Sequence, residues 1–503
     1  MTARARAGAR RGRPAALASV AGFGDWPLFY VPIAALALLV ALWLRAGSAR
    51  EAAWLGFAYG AGLFLTGVSW VYVSLHDYGM MPAPLAALAT VLFCAYLALY
   101  PAAVGYAQAR IGARPGARAL LLVPGLWALA EWVRAWFLTG FPWLTLGYSQ
   151  LDAPLAGFAP VLGIFGMSLA AASTAGAVAL LALRAGPRGS ALALVAVLFA
   201  AGFGLERARW TEPVGAPVTV ALLQGNVPQS LKFVPGRYET TLATYAALAE
   251  ASSARLVVMP ETAIPRFLEL VAPAYLERLH AAAARRDGDF LVGVPLREGP
   301  DRYYNAVVSV GVSPRQTYAK SHLVPFGEFI PPGFGWVPSI LQIPLSDFSR
   351  GGAKQRPLAV AGQHVAMNIC YEDAFGAEII RQLPEATLLA NVSNVAWFGD
   401  SLAPAQHLRI SRTRALETGR VMLRATNTGV TAIIDERGRV TARLPAFTEG
   451  RLEGRAQGRT GATPYARAGT RPPFCCRWHA RRSPRGRRGA RASGDFLDPL
   501  SRG

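Results

Sequence analysis

Val365-Ala366-Met367-Asn368-Ile369-Cys370-Tyr371-Glu372-Asp373 is the stretch on which the reading of this chain turns. Residues 365–369 read as a buried strand, and the strand ends on a thiol followed by two carboxylates. In layered α/β domains, reactive groups sit at strand ends and on the loops beyond them. Two other stretches have a similar form. Met259-Pro260-Glu261-Thr262 follows a strand predicted at 255–259, and Tyr318-Ala319-Lys320-Ser321-His322-Leu323-Val324-Pro325-Phe326-Gly327-Glu328 brings a lysine. Further strands are predicted at 218–224, 290–294, 306–312, 387–391 and 430–435, and helices at 238–254, 275–286, 377–382 and 403–418. Strands separated by helices predict layered α/β architecture from about residue 218 onward.

The three side chains make a coherent chemistry. A thiol is mostly protonated at neutral pH and needs a base to become a nucleophile. Glu261 is the candidate base, taking that proton and later handing it to a leaving group. A lysine beside the thiol favours the thiolate and, with a backbone N–H, stabilises the oxyanion of a tetrahedral intermediate. Acyl transfer through a thioester follows. Taken singly, Cys370 reads as a small buried hydrophobe, Lys320 as a solvated charge and Glu261 as a turn residue. The ordered trio in its local contexts is what points to catalysis.

The 503 residues are 53% apolar, above the roughly 45–50% of soluble domains, and the excess lies before residue 206. The net charge of +21 is not a nucleic-acid footprint. Arginine is concentrated in the first thirteen residues, in short loops and after residue 450. Cys94, Cys370, Cys475 and Cys476 show no paired metal-ligand spacing, so neither a disulfide framework nor a metal site is expected. A membrane-spanning helix needs about 20 mostly apolar residues. Stretches 27–44, 53–73, 82–105, 119–137, 155–183 and 190–205 qualify. The loops between them alternate: Arg45 and Arg50, then none, then Arg110, Arg114 and Arg118, then none, then Arg184 and Arg188. Basic short loops stay cytoplasmic, which places everything after residue 205 outside. Arg4, Arg6, Arg10, Arg11 and Arg13 then demand another crossing. Residues 14–26 are too short for one and contain Asp25, so they read as a re-entrant or truncated span, or as part of a cleaved signal peptide. Glu131 and Arg134 share a helix face within a span. There, ionisable groups pair locally or line a polar cavity. Trp143, in Gly140-Phe141-Pro142-Trp143, is expected at the interface.

The Pro-Glu, Lys-x-x-Leu-Val-Pro-Phe-Gly-Glu and Cys-Tyr-Glu blocks resemble the nitrilase superfamily. With the apolar half, the chain is similar to the apolipoprotein N-acyltransferases of bacterial envelopes over roughly residues 27–466. Supporting blocks are Leu223-Gln224-Gly225-Asn226-Val227-Pro228-Gln229, Asn394-Val395-Ala396-Trp397-Phe398-Gly399-Asp400 and Arg424-Ala425-Thr426-Asn427-Thr428-Gly429. The resemblance implies an αββα nitrilase-like sandwich attached to an N-terminal α-helical transmembrane bundle. It implies Glu261 as base, Lys320 as oxyanion stabiliser and Cys370 as nucleophile, supported by Glu328, Tyr371 and Glu372. The acyl donor would be a phospholipid, and the acceptor the α-amino group of a diacylglyceryl-modified apolipoprotein cysteine. No cofactor or metal is implied. The site would face the periplasm from the bacterial inner membrane. Phe233, Trp397, Phe398 and Trp143 are the expected lipid contacts. The aromatic pair Trp397 and Phe398 beside Gly399 reads as a mobile lipid-facing lid, with ordinary core packing as the alternative.

The implied division is a basic stretch 1–26, a transmembrane bundle 27–205, an extracytoplasmic catalytic domain 206–466 and an Arg-rich disordered tail 467–503. The chain departs from the family at Phe233, where Trp is usual, and at Val395, often Asp. It also departs at its ends, where a first span and a final span are normal. For suitable codons, reading Phe474-Cys475-Cys476-Arg477-Trp478 in a shifted frame gives Leu-Leu-Pro-Leu, so a frameshift is the expected origin of the tail. The competing readings are a membrane-tethered amidase and an inactive scaffold. Acyl transfer to a diacylated lipopeptide separates them from an acyltransferase.

Overall fold

The computed structural model describes residues 18–24, 26, 28–186, 188–337 and 347–469. The basic N-terminus, most of the Arg-rich tail and its frameshift reading lie outside the described residues. Every apolar stretch forms a helix: α1 Tyr30–Arg45, α2 Ala49–Gly67, α3 Ala83–Ile111, α4 Val123–Arg134, α5 Ala159–Leu183 and α6 Arg188–Arg207. Among the described residues, four helical segments are long and apolar enough to cross a membrane, Ala83–Ile111, Pro115–Arg134, Pro154–Leu183 and Arg188–Arg207, and a fifth if the bent pair Ala49–Gly67 and Val71–Tyr78 is one span. Tyr30–Arg45 is shorter at 16 residues.

Two predicted spans are broken rather than straight. Ala49–Gly67 bends by 56° into Val71–Tyr78. The bend frees the Gly67 carbonyl, which accepts from the Trp70 indole at 3.0 Å and from Gln406 Nε2 at 2.9 Å. Helix α5 breaks at Gly163, φ +67°. There the freed Ile164 N–H donates to Glu417 Oε1 at 2.7 Å. Freed backbone groups at membrane depth need such partners, and these breaks sit where the catalytic half supplies them. Helices α2 and α3 pack through small residues: a Cβ on Gly56 would lie 2.3 Å from the Pro101 carbonyl oxygen, the close approach favoured within membranes.

The second half is two stacked six-stranded sheets. One runs β13-β2-β3-β4-β5-β6, with β2 Val218–Gln224, β3 Leu256–Val258, β4 Asp289–Arg297, β5 Tyr303–Gly311, β6 Thr317–Ala319 and β13 Gly450–Ala456. The other runs β12-β11-β10-β9-β8-β7, with β7 Leu358–Val360, β8 Gln363–Ile369, β9 Leu388–Ser393, β10 Met422–Thr426, β11 Ala432–Ile434 and β12 Val440–Arg443. The β2–β3, β3–β4, β8–β9 and β9–β10 pairs are parallel. Alternation along the strands builds the layers. Val218, Val220 and Leu222 meet Val365, Met367, Leu388 and Leu423 between the sheets. Ala221 and Leu223 turn outward onto helices α7 Tyr238–Glu250 and α8 Pro273–Ala284. On the opposite outer face, Ala366, Leu389 and Met422 pack under Leu408 and Ala415 of helix α9 Ala403–Thr418. Strand β1 Thr211–Pro213 pairs with β14 Arg459–Gly461 and ties the chain leaving α6 to the end of the sandwich. Helix α10, Pro464–Ala468, then places Tyr465 against Gly163. The described chain is therefore folded through Gly469, slightly past the predicted start of the tail.

Helix α9 is buried almost all round although it carries Gln406, His407, Arg409, Ser411, Arg414 and Glu417. The sheet lies on one side and the membrane half on the other. Tyr371, Phe375, Ala403, Ile410 and Leu416 share one apolar cluster with residues of the membrane helices.

Candidate active site

Strand β8 delivers Cys370 in the left-handed region, φ +52°, a strained position for a residue with a Cβ. Its carbonyl oxygen is held by Asn391 Nδ2 at 3.1 Å and His407 Nε2 at 3.2 Å. His407 Nε2 also donates to Asp373 Oδ1 at 2.8 Å. Asp373 is further bound by Ser411 and by Arg424 at 3.3 Å, and Arg424 reaches Asn391 Oδ1 at 2.6 Å. This buried network fixes the turn while leaving the thiol partly accessible.

Glu261 follows β3. Its Oε1 accepts from Asn305 at 2.7 Å and Lys320 at 3.4 Å, and its Oε2 from the Asn394 N–H at 2.8 Å. Lys320, 1% exposed, also donates to Glu328 Oε1 at 2.8 Å. Glu328 in turn accepts from Asn305 at 2.9 Å and from the Val324 N–H at 2.8 Å. Burial alone pushes Glu261 up, but Lys320, Asn305, Lys232 and the Asn394 N–H outweigh it and hold the carboxyl below its ordinary value. Burial likewise lowers Lys320, yet Glu328 and Glu261 reverse the sign and keep it protonated. Burial, with the Glu261 carboxylate, pushes the Cys370 thiol up to about 12 against the pull of Lys320. The resting site is thus a thiol facing a carboxylate and an ammonium, not a preformed thiolate.

Glu372 is a clamp. Its Oε2 accepts from the Ile369 N–H at 2.7 Å and Tyr318 Oη at 3.0 Å, and its Oε1 from the Ser321 N–H at 2.6 Å and the His322 N–H at 3.0 Å. It joins the lysine loop to the nucleophile turn. Tyr371 joins that turn to the membrane half, donating its hydroxyl to the Gly140 carbonyl at 2.9 Å. Its ring stacks near Phe141 and Trp143. Gly140 has φ +85°, and a Cβ there would meet the Ala135 carbonyl oxygen at 2.2 Å. The local ion pair weighed for Glu131 and Arg134 gives way to separate duties. Glu131 accepts from Trp127 and the Leu146 N–H, while Arg134 donates to the Phe141 and Trp143 carbonyls. Arg134 holds the Gly140–Trp143 loop under Tyr371, and Glu131 fixes Leu146 just beyond it.

The expected lipid contacts do not behave alike. Trp143 is 3% exposed, with its indole on Gln406 Oε1 at 2.7 Å. It is a buried brace rather than an interfacial lipid contact, because the catalytic half covers it. Phe233 is half-buried. Trp397 and Phe398 lie on the 3-10 turn Val395–Phe398 and are also half-buried. Phe398 packs edge-on to Trp70 at 4.5 Å, and Trp397 lies near Tyr78 at 6.1 Å. The sequence reading missed Asn305, Asn391, Asn394, His407 and Lys232. Asn305 and Asn391 lie within β5 and β9, Asn394 follows β9, His407 lies on the hidden helix α9, and Lys232 follows the 3-10 turn Gln229–Leu231.

Two family profiles cover most of the chain. The apolipoprotein N-acyltransferase N-terminal domain matches residues 15–177, and the carbon-nitrogen hydrolase domain matches residues 219–465. The apolipoprotein N-acyltransferase of Nitrosomonas europaea is 53% identical over 90% of this chain and 92% of its own length. That of Chromobacterium violaceum is 47% identical over 90% and 88% respectively. Among solved structures, a nitrilase-superfamily amidase from Nesterenkonia aligns at 19% identity over 51% of this chain and 95% of its own, with a TM-score of 0.37.

Proposed function

Because the chain belongs to the apolipoprotein N-acyltransferase family, we propose that its lipoprotein-acylating activity runs through Cys370, with Glu261 as base and Lys320 as oxyanion stabiliser. The protein is a membrane acyltransferase of lipoprotein maturation. The observation that carries the assignment of residues is the buried Glu261–Lys320 pair acting electrostatically on a thiol at the strained end of β8.

The donor is a membrane phospholipid. Glu261 takes the proton from Cys370 Sγ as the thiolate attacks the ester carbonyl. Negative charge on the carbonyl oxygen is met by the Lys320 ammonium and a backbone N–H of the turn. Collapse breaks the ester C–O bond. The lysophospholipid alkoxide takes the proton from Glu261 and leaves a thioester on Cys370. The α-amino group of the diacylglyceryl apolipoprotein cysteine then attacks that thioester. Glu261 receives the amine proton and returns it to the departing thiolate, and the amide is released. Tyr371 and Glu372 keep the turn registered against the membrane half, where a lipid ester arrives. The half-buried rings of Phe233, Trp397 and Phe398 give this entrance an apolar lining, with Trp397 and Phe398 on the lid. The catalytic half faces the periplasm from the inner membrane, with the transmembrane bundle at 27–205 and the catalytic domain at 206–466. The arginine alternation supports that orientation.

Incubation with phospholipid followed by intact mass analysis tests the chemistry. The expected product carries one acyl chain on Cys370, released by hydroxylamine and transferred to a diacylated lipopeptide when one is added. Turnover with Cys370 never acylated would overturn the mechanism, and amide hydrolysis without transfer would favour an amidase.

A further inference from the structure

Lys232 has no part in the chemistry above. It follows the 3-10 turn Gln229–Leu231 beyond β2, its side chain is 3% exposed, and its ammonium donates to the backbone carbonyl of Glu261 at 3.1 Å. That carbonyl belongs to the peptide leading into Thr262, which has φ +50°, so Lys232 holds the strained bend that carries the base. A buried ammonium is costly unless charge nearby offsets it. Here the hydrogen-bond acceptor is a neutral carbonyl, and burial lowers the Lys232 ammonium to about 8, with Glu261 and Cys370 pulling the other way and offsetting only part of the cost.

The charges facing this pocket come from three loops and from the ion pair behind the nucleophile turn. Glu261 follows β3, Lys320 and Glu328 share the connection after β6, and Cys370 follows β8. Behind that turn Arg424 of β10, which also feels Cys370, is paired with Asp373 at 3.3 Å and adds no net charge. Lys320 is shared by two carboxylates, so these groups alone sum to −1 with a neutral thiol. Lys232 brings the sum to zero. Moving the proton from Sγ to Glu261 keeps it at zero, with the thiolate and Glu328 offset by the two ammonium groups. Without Lys232 the thiolate would form in a pocket already carrying −1, which opposes it.

We infer that Lys232 is a positioning residue of the active site, a second ammonium that fixes the backbone of Glu261 and balances Glu328 so that Cys370 can give up its proton. The inference rests on the reading of Glu261 and Cys370 as base and nucleophile. Thioester formation on the wild-type chain, measured first, tests that reading by itself. The Lys232 variants are then compared in the full-length protein in dodecyl maltoside micelles, freed of phospholipid and of any acyl ester by hydroxylamine and washing, so that the Cys370 thiol is unmodified. The readout is the rate of Cys370 alkylation by iodoacetamide against pH, followed on the Cys370 peptide by mass.

Lys232→Met and Lys232→Gln should each slow alkylation at neutral pH about tenfold, an upward move of about one pH unit. Lys232→Arg should stay within about threefold of wild type. Adding Glu328→Gln to Lys232→Met should recover most of the loss in alkylation, which a purely structural role for Lys232 would not produce. If Lys232→Met does not fold, Lys232→Gln and Lys232→Arg both keep a donor at the Glu261 carbonyl and differ in charge, so their comparison carries the prediction. A Lys232→Gln profile coincident with wild type would overturn the inference. So would Lys232→Arg falling as far as Lys232→Gln at unchanged thermal stability.

Discussion

At the residue scale, the site separates its proposed base from its proposed nucleophile by environment. The carboxyl of Glu261 is held down by Lys320 and its hydrogen-bond donors, while burial drives the thiol of Cys370 up. Catalysis then needs Glu261 unprotonated in the free enzyme. Its acid limb should fall below the ordinary carboxylate value of about 4.3, leaving acylation flat from mildly acidic to neutral pH. The same depressed value stabilises the fold above that ordinary value, and the stabilisation is lost as pH falls through the lower folded one. A single-turnover profile with an acid limb near pH 6 would contradict this assignment. Glu261→Gln should lower acylation by about 10²–10⁴-fold while phospholipid binding persists. Cys370→Ser should lose turnover, because an alkoxide is much harder to form than a thiolate. Single-turnover thioester assays and lipid-binding isotherms on each variant distinguish these outcomes.

At the element scale, helix α9 joins the two halves. Gln406 accepts the indole N–H of Trp70 at 3.1 Å and of Trp143 at 2.7 Å while donating to Gly67. Arg409 reaches the Gly24 and Trp26 carbonyls at 2.6 and 3.3 Å, which ties the start of the described chain to the catalytic half. Replacing Gln406 by Leu leaves several buried polar groups without their partner, each costing about 1–3 kcal/mol. Thermal unfolding of that variant should move down by several degrees; an unchanged midpoint would mean that the bend in α2 does not depend on Gln406. Tyr371→Phe removes a single hydrogen bond to Gly140, worth about 0.5–1.5 kcal/mol of stability, and should lower the acylation rate more than this small loss suggests. Gly140→Ala should be worse in both respects, since its Cβ meets a carbonyl and its φ is left-handed, a strain of about 1–3 kcal/mol. Melting curves paired with acylation rates separate the local effect on the turn from general destabilisation.

At the scale of the molecule, the arginine alternation predicts that the catalytic half faces away from the cytoplasm. Ser313 is a poor place for a reporter because its side chain and N–H are both bound to Asp289. Arg315 is exposed. A cysteine placed there, in a background lacking the other reactive thiols, should react with an impermeant maleimide in intact spheroplasts. Labelling confined to lysed cells would reverse the orientation. The two halves share a core through Tyr371, Phe375 and α9, so detergents that loosen the bundle should also slow acylation before the sandwich melts.

Local sequence determined the elements and the chemistry. Apolarity marked all six N-terminal helices, though only four or five are long enough to cross a membrane, and β2 and α9 have the same bounds in sequence and structure. The candidate trio stood out because Glu261 and Cys370 follow apolar runs that read as strands, and Lys320 lies in the block that resembles the family; strand β6 before it, only three residues long, was not predicted. Tertiary structure decided what no local pattern encodes. Strand β12 alternates only between half-buried and exposed residues, a weak signal, and short strands such as β7 and β14 are formed by their partners. The breaks in α2 and α5 exist because Gln406 and Glu417, hundreds of residues away, satisfy the freed backbone. Helix α9 is rich in polar side chains, yet it is buried because the sheet covers one side and the membrane half the other. Trp143 and Tyr371 face each other only after both halves have folded. Asn305, Asn394, His407 and Lys232 entered the site the same way: polar side chains show their partners only when long-range contacts bring the strand ends together.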